Sequence, residues 1–338
     1  MVTATIRDVA RLAGVSAMTV SRVLNASPHV ADATRRRVEA AVAELGYVPN
    51  GLARGLTRRR SKTVAVVVPD IANPFFTLIV RGAEEVAWRA GYHVLLSNSR
   101  GDLDRERANI DDMLASRVDG MLLAAAADGS GSKLKALGRD DVPFVLVDRT
   151  IPGYRGDLVK GDGVEGARQL VEHLTALGHR RIAMITEPAD VSTSRERQTG
   201  YREALEAAGI PFDPSLVVEA SAIDAASVRA AANGLLDRPV PPTAIFAVNN
   251  LVALGVADTT QARGLELPRD LSLVCFDDIA YAPQLNPFFT AIAQPAETFG
   301  TIAMQLLLDR ISGLLDDAAR IVVLPGELVV RASASAPR

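Results

Sequence analysis

The stretch Ile6 to Leu24, Ile-Arg-Asp-Val-Ala-Arg-Leu-Ala-Gly-Val-Ser-Ala-Met-Thr-Val-Ser-Arg-Val-Leu, admits few folds. Apolar residues at Ile6, Val9, Ala10 and Ala13 recur at helical spacing, and Gly14 breaks the run. A second periodic run opens at Ser16 and carries Val20, Val23 and Leu24. Two short helices joined by a tight, glycine-containing turn form a helix-turn-helix. At about 100° per residue, turning Val20, Val23 and Leu24 to a core leaves Met18, Ser21, Arg22 and Asn25 on the opposite face, with Ala17 at its edge. Ser16 is a good N-cap, because its hydroxyl can accept from a free backbone N–H. The N-terminal end of such a second helix is the part that enters a DNA major groove. A plain helical hairpin packed on another element is the bland alternative.

Charge separates the two. The 338-residue chain has a formal charge of -3, but residues 1–62 hold eleven Arg and Lys against four Asp and Glu, a balance of +7. Residues 63–338 therefore carry -10. A small basic module suited to phosphate is joined to a large acidic one that is not. The single cysteine, Cys275, excludes an intramolecular disulfide and a multi-thiolate metal site, and within Leu273-Val274-Cys275-Phe276 it reads as a small buried hydrophobe. The N-terminus lacks a charged region followed by an apolar one, and no apolar run is long enough to span a bilayer. A cytoplasmic, nucleoid-associated protein with no membrane partner is expected.

Asn25 to Val30 reads as loop, and Asp32 to Leu45 as a third helix with Val38, Val42 and Leu45 on one face, closed by Gly46. Next, Pro49 ends one element and Asn50 could cap a short helix over Gly51 to Leu56, ahead of Arg58, Arg59, Arg60 and Lys62. Glycine costs a helix about 1 kcal/mol relative to alanine, and so short a helix is marginal in water. The segment reads either as one that orders only on DNA or as a basic linker.

From Thr63 apolar runs of strand length recur: Val64 to Val68, His93 to Leu96, Gly120 to Leu123, Phe144 to Val147, Ile182 to Ile185, Ala244 to Ala247 and Leu273 to Phe276. Amphipathic stretches such as Thr77 to Ala90, Gly166 to Leu177 and Val252 to Arg263 separate them. The pattern predicts doubly wound α/β, parallel sheets covered on both faces. Such sheets bind ligands beyond the carboxyl ends of their strands. There stand Asp70 and Asn73, Asn98, Asp148, Glu187, Asn249 and Asn250, Asp277 and Asp278, and, after Ala291 to Ala293, Gln294. Carboxylates and amides converging on one crevice suit a ligand rich in hydroxyl or N–H donors, such as a sugar. Each position taken singly also fits a turn residue or helix cap.

Residues 5 to 56 resemble the DNA-binding headpiece of the lactose repressor family of bacterial transcription regulators. The matching residues are Asp8-Val9-Ala10, Ala13-Gly14-Val15-Ser16, Thr19 to Asn25, and Leu45-Gly46-Tyr47-Val48-Pro49-Asn50 with Ala53 and Leu56. The resemblance implies DNA contacts from Thr5, Ser16, Ala17, Met18, Thr19, Ser21, Arg22, Asn25, His29, Asn50, Ala53 and Leu56. It also implies a hinge helix that pairs with its dimer mate in the minor groove, where Leu56 wedges a base step open. The remainder resembles the family's two-lobed, periplasmic-binding-protein-like effector domain, through Pro69 to Phe76, Val147-Asp148-Arg149, Gly178 to Ala183, Arg195 to Tyr201, Asn249 and Phe276-Asp277-Asp278. Effector contacts are then implied from Asn73, Phe75, Phe76, Asp148, Arg197, Asn249, Asp277 and Gln294. The domains expected are a headpiece at 1–48, a hinge and linker at 49–62, and an effector domain at 63–338. Its N-lobe would take about 63–162 and 293–320, and its C-lobe about 163–292 and 321–332.

The chain departs from the family in places. Where sugar-binding members stack the ring on an aromatic, Ala220 to Asp224 offers none, so Phe75, Phe76 or Tyr281 would have to substitute. Ala17 and Met18 can touch thymine methyls but make no bidentate hydrogen bonds to bases, leaving direct readout to Arg22. No C-terminal heptad helix is evident, so a homodimer is expected. The reading is a repressor of carbohydrate-utilisation genes released by a small sugar, with no cofactor and no metal; a nucleobase, or a phosphosugar or protein corepressor, is the alternative within the class. A rival from another class is a nicotinamide-dependent oxidoreductase, since Gly161-Asp162-Gly163-Val164-Glu165-Gly166 matches the dinucleotide fingerprint with Glu187 about 20 residues on. Against it, only Leu158 and Val159 precede the glycines as apolar strand, and Asp162 and Glu165 set negative charge where a pyrophosphate would lie.

Overall fold

A computed structural model describes residues 4–24, 27, 29–47, 60–131, 134, 142–279, 288–315 and 318–338. The chain divides into two compact units, Met1–Ser61 and Lys62–Arg338.

The described residues of the first unit form three helices, α1 (Ile6–Ala13), α2 (Ala17–Leu24) and α3 (Asp32–Leu45). Thr5 and Asp8 start α1 with a reciprocal capping box, and Gly14 ends it at φ 64°, a left-handed conformation open to glycine at no steric cost. Ser16 starts α2, its Oγ accepting from the Thr19 N–H at 3.1 Å. Val9, Ala10, Ala13, Val20, Val23, Val38 and Ala41 make the core. One expectation fails on α3. Leu45 is exposed and Ala41 takes the buried place, because the last turn of α3 runs beyond so small a core.

The described residues of the second unit form two six-stranded sheets, one per lobe. In order along the N-lobe sheet lie β11 (Ile321–Leu324), β5 (Leu158–Gly161), β4 (Phe144–Val147), β3 (Gly120–Leu123), β1 (Thr63–Val68) and β2 (His93–Asn98). The C-lobe sheet runs β12 (Glu327–Val329), β10 (Thr290–Ala293), β9 (Ser272–Phe276), β8 (Ala244–Ala247), β6 (Ile182–Thr186) and β7 (Val217–Glu219). Pairing is parallel except between β10 and β12. On the N-lobe sit α4 (Pro74–Arg89), α5 (Leu103–Ala115) and α10 (Ala296–Ser312); on the C-lobe sit α6 (Gly163–Ala176), α7 (Ser192–Ala207), α8 (Ala225–Leu236) and α9 (Asn250–Ala262). Side chains of β1 alternate between two cores, Val64, Val66 and Val68 facing α4 and α10 while Ala65 and Val67 face Ile110 of α5. A stretch of strand buried on both faces favours apolar residues throughout, which is why Val64–Val68 of β1 is an unbroken apolar run.

The chain passes between lobes at β5 to α6, at β10 to α10 and at β11 to β12. This corrects the lobe boundary expected near residue 321. Ile321–Leu324 extends the N-lobe sheet against β5, and the C-lobe takes up β12 and the residues after it, where Arg331 pairs with Asp278. The short apolar run before the glycine motif is the four-residue strand β5, Leu158–Gly161, which takes in the motif's first glycine. That strand leads into the other lobe, so no βαβ unit forms around the motif.

Helices α4 and α10 pack at glycine contacts. A Cβ on Gly82 would stand 2.0 Å from the Glu297 carbonyl oxygen, and one on Gly300 would stand 1.9 Å from that of Ile79. Both obstacles are backbone, so neither can rotate away. Gly82→Ala or Gly300→Ala is expected to lower the urea midpoint of the effector domain, equivalent to about 1–3 kcal/mol of overpacking strain; unchanged midpoints would refute the close packing.

Candidate functional site

In the second unit the strand ends converge as the α/β pattern requires. A cleft of about 420 Å³, counting its open mouth, lies between the lobes. The N-lobe supplies Asp70, Asn73, Phe75 and Phe76 from the β1 to α4 turn and Asp148 and Arg149 from the end of β4. The C-lobe supplies Glu187, Thr193, Arg197, Ala222, Ile223, Asn249, Leu251 and Asp277.

Asp148 and Asp277 end the central strands β4 and β9 in the left-handed region, at φ 67° and 66°. Few residues other than glycine adopt it, and Asp is among those that do. The conformation carries both carboxyls into the cleft, where each is nearly fully buried. Arg197 lies 3.9 Å from the centre of the Phe276 ring, donates to the Val248 carbonyl at 2.6 Å and stands 3.5 Å from Asp277 Oδ2. Arg149 donates to the carbonyls of Ala125 and Ala126 at 3.0 and 2.9 Å, and its Nη2 reaches to 3.9 Å from Glu187 of the opposite lobe. Asn249 does two things at once: Oδ1 caps α9 through the Val252 N–H at 3.0 Å, while Nδ2 donates to Glu187 at 3.1 Å. Asn73 likewise caps α4 and receives Nδ2 of Asn250, across the cleft, at 3.1 Å. Among the described residues Arg149 Nε, Arg197 Nε and Asn250 Oδ1 are buried without a hydrogen-bond partner. Of these residues Arg149 and Arg197 line the cleft, so each brings to it a donor without a partner.

The implied effector residues thus come together, with one exception. Gln294 does not line the cleft; it lies behind the wall and donates Nε2 to Asp277 Oδ1 at 2.5 Å. Two other strand-end residues are purely structural. Asn98 Oδ1 accepts from the Arg100 N–H within its turn, and Asp278 forms a bidentate pair with Arg331 at 2.6 and 2.7 Å. Sequence reasoning passed over Arg149 and Thr193 as cleft residues. Arg149 had a signal, a guanidinium directly after a strand-ending Asp; Thr193, in a helix's first turn, had none.

The glycine motif has packing reasons. Added Cβ atoms would meet Gln294 Oε1 at 1.9 Å from Gly161, Glu196 Oε2 at 2.7 Å from Gly163 and the Phe276 ring at 2.7 Å from Gly166. Asp162 Oδ1 accepts from the Glu165 N–H at 3.0 Å, occupying the helix N-terminus a pyrophosphate would need.

In the first unit, α2 buries Val20 and Val23 and exposes Met18 and Arg22, with Ala17, Thr19 and Ser21 half-buried. Ser16, Thr5 and His29 are exposed, but the Ser16 hydroxyl is engaged with Thr19 and that of Thr5 with Asp8. Asn25, Asn50, Ala53, Leu56 and Tyr281 lie outside the described residues.

Burial pushes the Asp148 carboxyl from the ordinary 3.8 up to about 7; Arg149 and Arg197 oppose the shift, and Asp277 and Glu196 add to it. The folded state therefore binds more protons than the unfolded chain between these values, so stability falls as pH rises through that window and levels off above it. Asp148→Asn lacks that slope. Unfolding free energies from urea titrations between pH 4 and 8 should agree with the parent at pH 4 and exceed it at pH 8 by on the order of 4 kcal/mol; parallel profiles would refute the burial argument.

Known proteins carry the same arrangement. A family model described as bacterial regulatory proteins, lacI family, matches residues 5–50, and one described as periplasmic binding protein-like domain matches residues 171–334. The chain is 36% identical over 334 residues to the HTH-type transcriptional repressor CytR of Escherichia coli (strain K12), covering 98% of this chain and 97% of that one. It is 34% identical over 331 residues to the HTH-type transcriptional repressor PurR of Photobacterium profundum, covering 98% of both. Its fold is similar to that of the lac repressor dimer bound to operator and the anti-inducer ONPF, with a TM-score of 0.85 and 30% identity over 99% of this chain and 100% of that one. A transcriptional regulator CelR–cellobiose complex matches with a TM-score of 0.72 and 37% identity over 98% and 99%. With this helical face, this cleft and these relatives, the chain belongs to the lacI family of bacterial regulatory proteins, ligand-responsive transcriptional repressors and not enzymes.

Proposed function

We propose that this is a cytoplasmic, homodimeric repressor of carbohydrate-utilisation genes whose effector is a small, uncharged, hydroxyl-rich molecule bound between the lobes. The donor and acceptor set of the cleft carries the reading. Even with the raised Asp148 carboxyl left out, Asp70, Glu187 and Asp277 outnumber Arg149 and Arg197 there, so an anionic ligand such as a phosphosugar would meet net repulsion. Hydroxyl groups donate to carboxylates and accept from guanidinium and amide N–H, and so satisfy both. Phe75 and Phe76, edge to face at 5.2 Å between ring centres, offer apolar surface to a ring. The relative solved with cellobiose supports a sugar.

Two headpieces would read a near-palindrome through Ser16, Ala17, Met18, Thr19, Ser21, Arg22 and Asn25, with Thr5 and His29 at the flanks and Asn50, Ala53 and Leu56 in the minor groove. Exposed Trp88 at the end of α4 and Leu95 and Leu96 on edge strand β2 support a second copy as partner. Effector that favours one arrangement of the lobes shifts the balance between operator-binding and released states by about 1–3 kcal/mol.

Fluorescence anisotropy on the chain's own promoter tests the output. Affinity should fall steeply with salt, and Arg22→Ala should weaken binding by about 1–3 kcal/mol; a salt-independent complex would sink the reading. Thermal-shift screening over sugars, nucleobases and phosphosugars tests the input. A neutral sugar should raise the melting temperature and release DNA, whereas Arg197→Ala should leave operator binding intact and abolish that response. A nucleobase hit with no sugar hit would favour the other effector class.

A further inference from the structure

Glu106 stands on α5 one turn before Ile110, outside the cleft, and is fully buried. A carboxylate is unfavourable to bury, and burial pushes this one above its ordinary range. Its Oε2 accepts from the Ala126 N–H at 2.6 Å, while Oε1 has no hydrogen-bond partner among the described residues. The buried charge therefore serves one peptide group.

The other side of that group carries Arg149. A peptide's C=O and N–H share one plane and point in opposite directions, so the Ala125 carbonyl and the Ala126 N–H can only turn together. Arg149 Nη1 donates to the Ala125 carbonyl at 3.0 Å and to the Ala126 carbonyl at 2.9 Å. Carboxylate, peptide and guanidinium thus form one chain of hydrogen bonds, each polarising the next. Ala124 to Ala127 is an unbroken run of buried alanines, so no side chain of that segment can hold either charge. Upstream the run is tied to β1, the Ala124 N–H donating to the Val67 carbonyl at 2.9 Å. Downstream of the peptide, Arg149 Nη2 reaches to 3.9 Å from Glu187 of the opposite lobe.

We infer that Glu106 is a positioning residue for Arg149: by fixing the plane of the Ala125–Ala126 peptide from outside the cleft, it sets where the guanidinium stands inside it. The chain Glu106, Ala125–Ala126, Arg149 carries the placement of α5 through the lobe to the cleft wall. This concerns Arg149 itself and holds whether the effector is a sugar or not.

Crystal structures and urea titrations of the ligand-free full chain test this with three substitutions. Glu106→Gln removes the charge but keeps an oxygen that can accept from Ala126, Glu106→Asp keeps the charge on an arm one methylene shorter, and Glu106→Met, of similar length, has neither. Arg149 Nη1 should stay within hydrogen-bond distance of both carbonyls in the Gln variant and leave at least one of them in the Asp and Met variants. The drop in the effector domain's urea midpoint caused by Glu106→Met should shrink by about half in an Arg149→Met background, because contacts that share a peptide are not additive. Arg149 unmoved in the Asp and Met variants, or equal drops in both backgrounds, would overturn the inference. So would rescue by Asp and not by Gln, since attraction between the charges would then hold Arg149 without the peptide. The Gln and Asp pair decides even where Glu106→Met does not fold.

Discussion

Charge buried between two lobes governs this domain. Asp148, Arg149, Glu187, Arg197 and Asp277 are drawn from both sheets, and all but Glu187 are nearly fully buried. Isolated charges cost several kcal/mol each to desolvate. None of these is isolated: each guanidinium is held to backbone carbonyls of its own lobe, and Arg149 then faces Glu187 across the gap. Each guanidinium also stands beside the strand-end carboxylate of its own lobe, Arg149 at 3.8 Å from Asp148 and Arg197 at 3.5 Å from Asp277, yet the Nε of each stays without a hydrogen-bond partner. That partner has to come from the opposite lobe or from whatever lies between them. A cleft in that condition responds to a ligand with donors and acceptors, because the ligand completes bonds that neither lobe completes alone.

The strands and the strand-end residues were legible in the sequence because burial on both faces writes an unmistakable apolar run, and polar residues following such runs have few other places to be. Short or half-exposed strands left weaker marks. β5 contains Lys160 and two residues of the glycine motif's approach, and β7, β11 and β12 lie at or near sheet edges with exposed positions. The lobe boundary went wrong for the same reason: nothing in Ile321–Leu324 says which sheet it joins, since that is decided by pairing with β5. At the site, an Asp at a strand end could be ligand, cap or ion-pair partner. Asp277 and Asp278 are neighbours, yet one faces the cleft and the other pairs with Arg331, a residue more than fifty positions away. That division is tertiary and has no local signature.

The headpiece shows the complementary case, in which local chemistry decides nearly everything. Caps at Thr5 and Ser16 and left-handed glycines at Gly14 and Gly46 fix where its helices begin and end. A core this small is made mostly of valine and alanine, so helix ends at its margin, such as Leu45, stay in water. The cap at Ser16 also has a cost in specificity. With its hydroxyl engaged by Thr19, and with Ala17 and Met18 beside it, the first turn of α2 has no long side-chain donor, and Arg22 stands exposed in the last turn.

The way the cleft is tied to the interlobe crossings follows from Gln294. It lies on the β10 to α10 crossing, donates to Asp277 in the cleft wall, and sets its Oε1 where a Cβ on Gly161 would be, on the β5 to α6 crossing. One side chain thus touches the site and two of the three connections. Gly326, on the third, is packed as tightly, since a Cβ there would stand 2.4 Å from Ile292. Connections without slack cannot bend by degrees. Gln294 joins Asp277, in the cleft wall, to the two crossings it touches. Close-packed contacts of this kind switch between discrete arrangements instead of deforming continuously. The glycines of the crossings are needed for closeness, which at Gly326 is set by the Ile292 side chain and at Gly161 by the Gln294 amide.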